Sequence, residues 1–110
     1  MTSTSCCGEN APEPRVATLD DVAIEGLASR LKALADPTRL RLLQLLAQQP
    51  EPLCVCEITP RFAQHQPTIS HHLRLLREAG LVGAEKRGVW SYFWATETGR
   101  RCLLQAQTLA

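Results

Sequence analysis

The apolar residues of this chain recur in two rhythms, and each change of rhythm marks an element. Val22, Ile24, Leu27, Ala28, Leu31 and Leu34 return every three or four positions, the spacing that lines one face of a helix. Asp20 and Asp21 precede them, where carboxylates suit the positive end of the helix dipole, and Gly26 weakens the pattern slightly. Asp36-Pro37 is a strong start signal, an N-capping carboxylate followed by a proline whose missing N–H costs nothing in the first turn. The helix predicted over Pro37–Gln48 has Leu40, Leu43, Leu46 and Ala47 on one side, and Leu42 and Leu45 widen that band. Such breadth is expected of the most buried helix in a small bundle. Pro50 and Pro52 end it.

Leu53–Phe62 is less regular, and a short helix near Glu57–Ala63, kinked or restarted around Pro60, fits it best. A turn at Gln64–Gln66 leads into a helix opening at Pro67. Ile69, Leu73 and Leu76 form its apolar stripe, Ala79 extends it, and Gly80 closes the helix in a left-handed conformation. Pro67, His71, Arg74 and Glu78 lie on the opposite side, with Thr68 and Ser70 on the flanks. Two short helices joined by a tight turn make a helix-turn-helix. The outer face of the second offers hydroxyl, imidazole and guanidinium groups, which read base edges and phosphates.

The rhythm then shortens to a period of two. Leu81–Lys86 and Val89–Ala95 read as strands around Arg87-Gly88, the second rich in Val89, Trp90, Tyr92, Phe93 and Trp94. A basic hairpin directly after a reading helix is a wing, able to lay Lys86 and Arg87 on the sugar-phosphate backbone. Thr96–Leu109 is a final helix with Leu103, Leu104 and Ala106 available to pack. The fold class is therefore mainly α with a small β-hairpin, a winged helix-turn-helix over residues 19–95. Residues 1–18, rich in Ser, Thr, Pro and Gly, are expected to form a flexible arm.

Composition narrows the reading. The 110 residues suit one domain, 45% of them hydrophobic and 21% charged. No apolar run approaches the roughly 18 residues of a membrane span, and no basic-then-apolar start suggests a signal peptide. No membrane partner is expected, and the cytoplasm is the expected compartment. The net charge of +1 hides an uneven distribution: residues 1–60 carry net −3, and residues 61–87 carry net +3 from Arg61, Arg74, Arg77, Lys86 and Arg87 against Glu78 and Glu85. The basic centre is an electrostatic footprint for DNA.

Five cysteines without a secretory signal point to thiols in a reducing compartment rather than disulfides. Four fall in two close pairs, Cys6-Cys7 on the arm and Cys54-Val55-Cys56 before the helix-turn-helix. Cys102 stands alone on the last helix and reads as a packing residue. Cys54-Val55-Cys56 is not a Cys-X-X-Cys motif, no βαβ pattern surrounds it and no acid/base constellation accompanies it, so an enzyme is not expected.

Four blocks now carry a family likeness: Leu34-Ala35-Asp36-Pro37-Thr38-Arg39-Leu40-Arg41, Leu53-Cys54-Val55-Cys56-Glu57-Ile58, Ser70-His71-His72-Leu73 and Ala79-Gly80-Leu81-Val82. Together, in this order and spacing, they resemble the ArsR/SmtB repressors over about residues 20–95. The resemblance implies a homodimeric repressor of a resistance operon that leaves its operator when a metal or metalloid binds. It also implies that the first and last helices, the latter over residues 96–110, form the dimer interface. The operator would be pseudo-palindromic double-stranded DNA with half-sites about one helical turn apart. Gln66, Thr68, Ser70 and His71 occupy positions that face DNA in the family; Arg74, Lys86 and Arg87 join them from the helix face and the wing. His72, at the apolar edge, reads as structural, its ring satisfying a backbone or cross-helix hydrogen bond.

Thiolates select soft or thiophilic ions. The Cys-Val-Cys core resembles both the arsenic-sensing and the cadmium/lead-sensing branches. The arsenic pattern places a third thiol three residues after Cys56, where this chain has Thr59. The missing ligand has to come from elsewhere, and Cys6-Cys7 is the obvious source. The favoured site is Cys6, Cys7, Cys54 and Cys56 with As(III) or Sb(III) as inducer; Cd(II) or Pb(II) on four thiolates is the alternative. A thiol redox-sensing repressor of the same fold is a further one. Glu97 is the only acid on the last helix and no histidine follows His72, so a zinc- or nickel-type site there is not expected.

Overall fold

The helix over Pro37–Ala47, α2, is the element on which the others pack. In this computed structural model, which describes residues 16–110, Leu42, Leu43 and Leu46 of α2 are fully buried. Each contributes about 2 kcal/mol by leaving water. Asp36 caps the helix, accepting from the Arg39 N–H at 3.0 Å, with Pro37 in the first turn as the sequence predicts. Before it, α1 (Asp21–Leu34) starts at Asp20, whose carboxylate accepts from the Ala23 N–H at 2.8 Å.

The stretch from Leu53 differs from expectation. Leu53–Cys54 is a short strand, β1, and the helix α3 (Val55–Ile58) begins two residues earlier than predicted, followed by a 3-10 turn at Thr59–Arg61. The reason is a capping box in which sulfur replaces a hydroxyl: Cys54 Sγ accepts from the Cys56 N–H at 3.0 Å, and Glu57 Oε1 accepts from the Cys54 N–H at 2.8 Å. The proline at position 60 sits within the 3-10 turn, where it ends the α-helical run.

α4 (Gln66–Glu78) buries Ile69, Leu73 and Leu76 completely, the stripe read from the sequence. Gly80, at φ +79°, closes it in a Schellman motif: the Leu81 N–H donates to the Leu76 carbonyl at 3.0 Å and the Gly80 N–H to Arg77 at 2.9 Å. The strands β2 (Val82–Arg87) and β3 (Trp90–Ala95) form the hairpin around Gly88-Val89, one residue later than predicted, because Gly88 supplies the positive φ of the turn. The antiparallel sheet runs β1-β3-β2, pairing Leu53 with Phe93, Cys54 with Tyr92 and Arg87 with Trp90.

α5 (Glu97–Ala106) ends in a 3-10 turn at Gln107–Leu109. Thr96 caps it, accepting from the Gly99 N–H at 3.0 Å, and donates its own hydroxyl proton to the Gly80 carbonyl at 2.7 Å. Gly99 lies so close to the Leu81 carbonyl that a side chain there would drive α5 off the end of α4. Arg100 reaches the Ala47 carbonyl at the end of α2 at 2.6 Å. α5 is thereby fixed to both helices.

Candidate functional site

The outer face of α4 is built by subtraction. Its stripe goes to the core, which leaves Gln66, Thr68, Ser70, His71 and Arg74 exposed. Arg74 Nη2 and His71 Nδ1 are 3.0 Å apart, so guanidinium and imidazole form one hydrogen-bonding unit on that face. The turn before α4 is tied to α2 by Gln64, whose amide donates to the Thr38 hydroxyl at 2.8 Å. That contact satisfies the one buried polar side chain among the described residues.

On the wing, Lys86 and Arg87 are both exposed. Arg87 lies back along the strand, 3.0 Å from Glu85 and over the Tyr92 ring at 4.6 Å. The tip itself is apolar, with Val89 84% and Trp90 49% exposed. Sequence reasoning placed the wing by its basic residues and assigned no role to these two.

The second candidate region is the start of α3. Cys54 is buried at the end of β1 and Cys56 is exposed. Contrary to the thiols the sequence predicts, the two sulfurs are joined in a disulfide, with Cα atoms 5.2 Å apart. The cap explains it: Cys54 Sγ is held over the first turn of α3, and the residue two positions on brings its own sulfur to the same point. Opened by reduction, the pair offers two soft donors side by side. Thr59, where a third ligand would stand, donates its hydroxyl proton to the Val55 carbonyl at 2.8 Å and supplies no soft donor. No cluster of three His, Cys, Asp or Glu side chains occurs among the described residues. Cys6 and Cys7 lie outside the described residues. Cys102 is a half-buried free thiol packed against the core.

His72 makes the cross-helix contact expected of it. Its Nδ1 is 3.1 Å from Arg39 Nη1. Burial holds its pKa below the ordinary 6.5, opposed by Asp36 and reinforced by Arg39 and His71. The backbone hydrogen bond from Arg39 holds the Asp36 carboxyl below its usual 3.8, against the opposing cost of burial; the charges of Arg39 and His72 act with the hydrogen bond. The Arg39–His72 pair spans 33 positions, and no local signal could have found it.

Residues 36–83 match the family described as bacterial regulatory protein, arsR family. An uncharacterized HTH-type transcriptional regulator of Methanocaldococcus jannaschii is 45% identical over 73 residues, covering 66% of this chain and 81% of that protein. The chain belongs to the arsR family. It is a DNA-binding regulator rather than an enzyme, as its sequence implies. The Escherichia coli arsenical resistance operon repressor is 48% identical over 62 residues, covering 56% of this chain and 52% of that protein. The matched region thus spans about half of that repressor's length. A Mycobacterium bovis domain solved by NMR, described as a homodimeric winged helix-turn-helix of a possible ArsR-family regulator, superposes at TM-score 0.72. It is 30% identical, and the match covers 86% of this chain and 89% of that one. The winged helix-turn-helix assignment therefore stands for this arsR-family chain. No helix among its described residues is long and apolar enough to cross a membrane.

Proposed function

We propose that this arsR-family chain is a cytoplasmic, homodimeric repressor of a metalloid-resistance operon, released from double-stranded operator DNA when As(III) or Sb(III) binds its thiolates. The observation that carries the reading is the convergence of the Cys54 and Cys56 sulfurs on the first turn of α3, the helix that opens the helix-turn-helix. Two adjacent soft donors fit a thiophilic ion. Cys6 and Cys7 on the arm over residues 1–18 supply the remaining ligands. The likeness to arsenical resistance repressors favours a metalloid.

In this reading Gln66, Thr68, Ser70, His71 and Arg74 face the major groove, while Lys86 and Arg87 lie along the backbone. Val55 and Ile58 of α3 sit in the same core as Ile69, Leu73 and Leu76 of α4. A ligand that draws the arm to the start of α3 therefore pulls on the layer that aims α4. Dimerisation is supported by the apolar face of α1, where Val22 is 81% and Leu31 54% exposed in the single chain. Beside it, Leu31, Leu34, Leu40, Leu103, Ala106 and Leu109 line an apolar groove of about 590 Å³. A second copy covers both in this account, joining the α1 and α5 faces of each subunit.

Alanine at both His71 and Arg74 is expected to weaken operator binding at least about tenfold, since base and phosphate contacts are each worth about 1–3 kcal/mol. The slope of log affinity against log salt should fall by about one phosphate contact. Fluorescence anisotropy on the upstream DNA at several salt concentrations checks this, and unchanged affinity would remove α4 from the interface.

A second reading is favoured by the disulfide. Oxidation of Cys54 and Cys56, passing two electrons to a peroxide or disulfide oxidant with loss of two protons, could itself be the signal. A Cd(II)- or Pb(II)-responsive four-thiolate site is the other alternative, and a relative described as an SmtB homolog in Synechocystis, 38% identical over 81 residues, keeps metals other than arsenic in view. Release by arsenite under full reduction separates the first reading from the redox one.

A further inference from the structure

Arg39 belongs to α2, yet its partly buried side chain reaches away from that helix to α1 and α4. Its Nε donates to the Ala33 carbonyl at 2.7 Å and its Nη2 to the Lys32 carbonyl at 3.5 Å, both in the last turn of α1, where the Lys32 carbonyl also accepts from the Ala35 N–H at 3.3 Å. Its Nη1 faces His72 Nδ1 of α4 at 3.1 Å. The backbone N–H of the same residue is held by the Asp36 cap at 3.0 Å, so the base of the side chain is fixed as well. One planar guanidinium thus bridges the end of α1 to the helix that carries His71 and Arg74.

We propose that Arg39 and His72 are positioning residues for DNA reading, a latch that sets the angle of α4 against α1 and opens when His72 gains a proton. The proposal rests on α4 being the reading helix and α1 part of the dimer frame.

Arg39 is a donor at every nitrogen, so the latch needs His72 Nδ1 as an acceptor, which only the neutral ring with its proton on Nε2 provides. The imidazolium would set two positive groups 3.1 Å apart with a donor on each side. The charged groups acting on His72 are Asp36, Arg39 and its helix neighbour His71. α1 meets the pair through backbone carbonyls, and Lys32 of α1 and Glu78 of α4 line the cleft beside Arg39 without being among the groups acting on the ring. No charged side chain of β2 is among the groups acting on the ring. Burial already favours the neutral form, so the folded ring titrates below the ordinary 6.5. The latch is complete above that value, and its contribution is lost as pH falls through the folded value.

The test compares the dimer with its His72→Asn variant, whose amide oxygen can take the Nδ1 position but cannot titrate. Operator affinity is measured by anisotropy from pH 8 to pH 5.5 at constant ionic strength. His71 is present in both proteins, so the ratio of the two affinities reports the change at position 72. The expected ratio is near one at pH 8 and about tenfold in favour of the variant by pH 5.5, the usual scale of coupling between sites. Arg39→Met, checked for folding by its circular dichroism, should remove the fixed positive charge and raise the His72 pKa read by NMR. A ratio that stays constant across the range, or a His72 pKa unmoved by Arg39→Met, overturns the latch. If Arg74→Ala leaves affinity unchanged while the ratio shifts, the fault lies instead in assigning α4 to the DNA.

Discussion

Serine at both Cys54 and Cys56 is expected to leave operator binding within about threefold of the unmodified protein while abolishing release by arsenite. The pairing of outcomes follows from what Cys54 does in the fold. Its sulfur caps α3, and serine is among the best residues at such a position. The Glu57 half of the capping box needs only the Cys54 backbone N–H, which any residue at 54 retains. What the substitution removes is soft-donor chemistry. In the unmodified protein arsenite should weaken operator binding by about 10- to 100-fold, the common range for allosteric coupling. Serine at both Cys6 and Cys7 should reduce that response as well if the arm completes the site. Anisotropy titration of each variant with arsenite checks both statements. A double Cys54/Cys56 variant that still lets go of DNA on arsenite addition would place the sensor elsewhere.

Leu31→Glu is expected to yield a folded monomer whose operator affinity is lower by more than about 100-fold. Leu31 is 54% exposed in the single chain and lies outside its buried core, so a carboxylate there costs the isolated fold little. In a dimer that buries the α1 face, the same carboxylate would lose its water without gaining a partner, a penalty of several kcal/mol at each of two symmetric positions. A monomer reads one half-site and forfeits the gain from binding two at once. Sedimentation equilibrium gives the assembly state, thermal melting shows that the fold survives, and anisotropy gives the affinity. A variant that stays dimeric with unchanged affinity would remove α1 from the interface.

Much of this was legible in the sequence because the deciding signals are local. Asp36-Pro37 marks the start of α2, and Pro67 with Gly80 brackets α4 to within a residue. The aromatic run from Trp90 to Trp94 announces β3. What was not legible depends on contacts across the chain or on unusual chemistry. β1 exists because Leu53 and Cys54 find Phe93 and Tyr92, almost forty positions on, and two residues carry no strand rhythm of their own. The early start of α3 was hidden because sulfur is not among the usual capping atoms. Arg39 reads as a surface charge on an amphipathic helix until its carbonyl acceptors on α1 and His72 on α4 come into view. The exposure of Leu31 and Val22 reverses the usual meaning of an apolar stripe. The pattern names the helix correctly, but in the proposed dimer the surface that the stripe covers belongs to a partner.

The candidate DNA face was the most readable part of the site. A helix has two sides, and once Ile69, Leu73 and Leu76 are given to the core, Ser70, His71 and Arg74 have nowhere to go but outward. The thiol site was readable only in part. Sequence brings Cys54 and Cys56 together through their spacing, whereas Cys6 and Cys7 are related to them by no periodicity at all.

The most direct test of the central claim is an anisotropy titration of the reduced dimer on its own upstream DNA, with arsenite, antimonite, cadmium, lead and zinc added in turn. The account predicts tight binding to the DNA, release by arsenite and antimonite at low concentration, and weak responses to the three divalent ions. Release by cadmium and lead alone, or by none of the five, would contradict it.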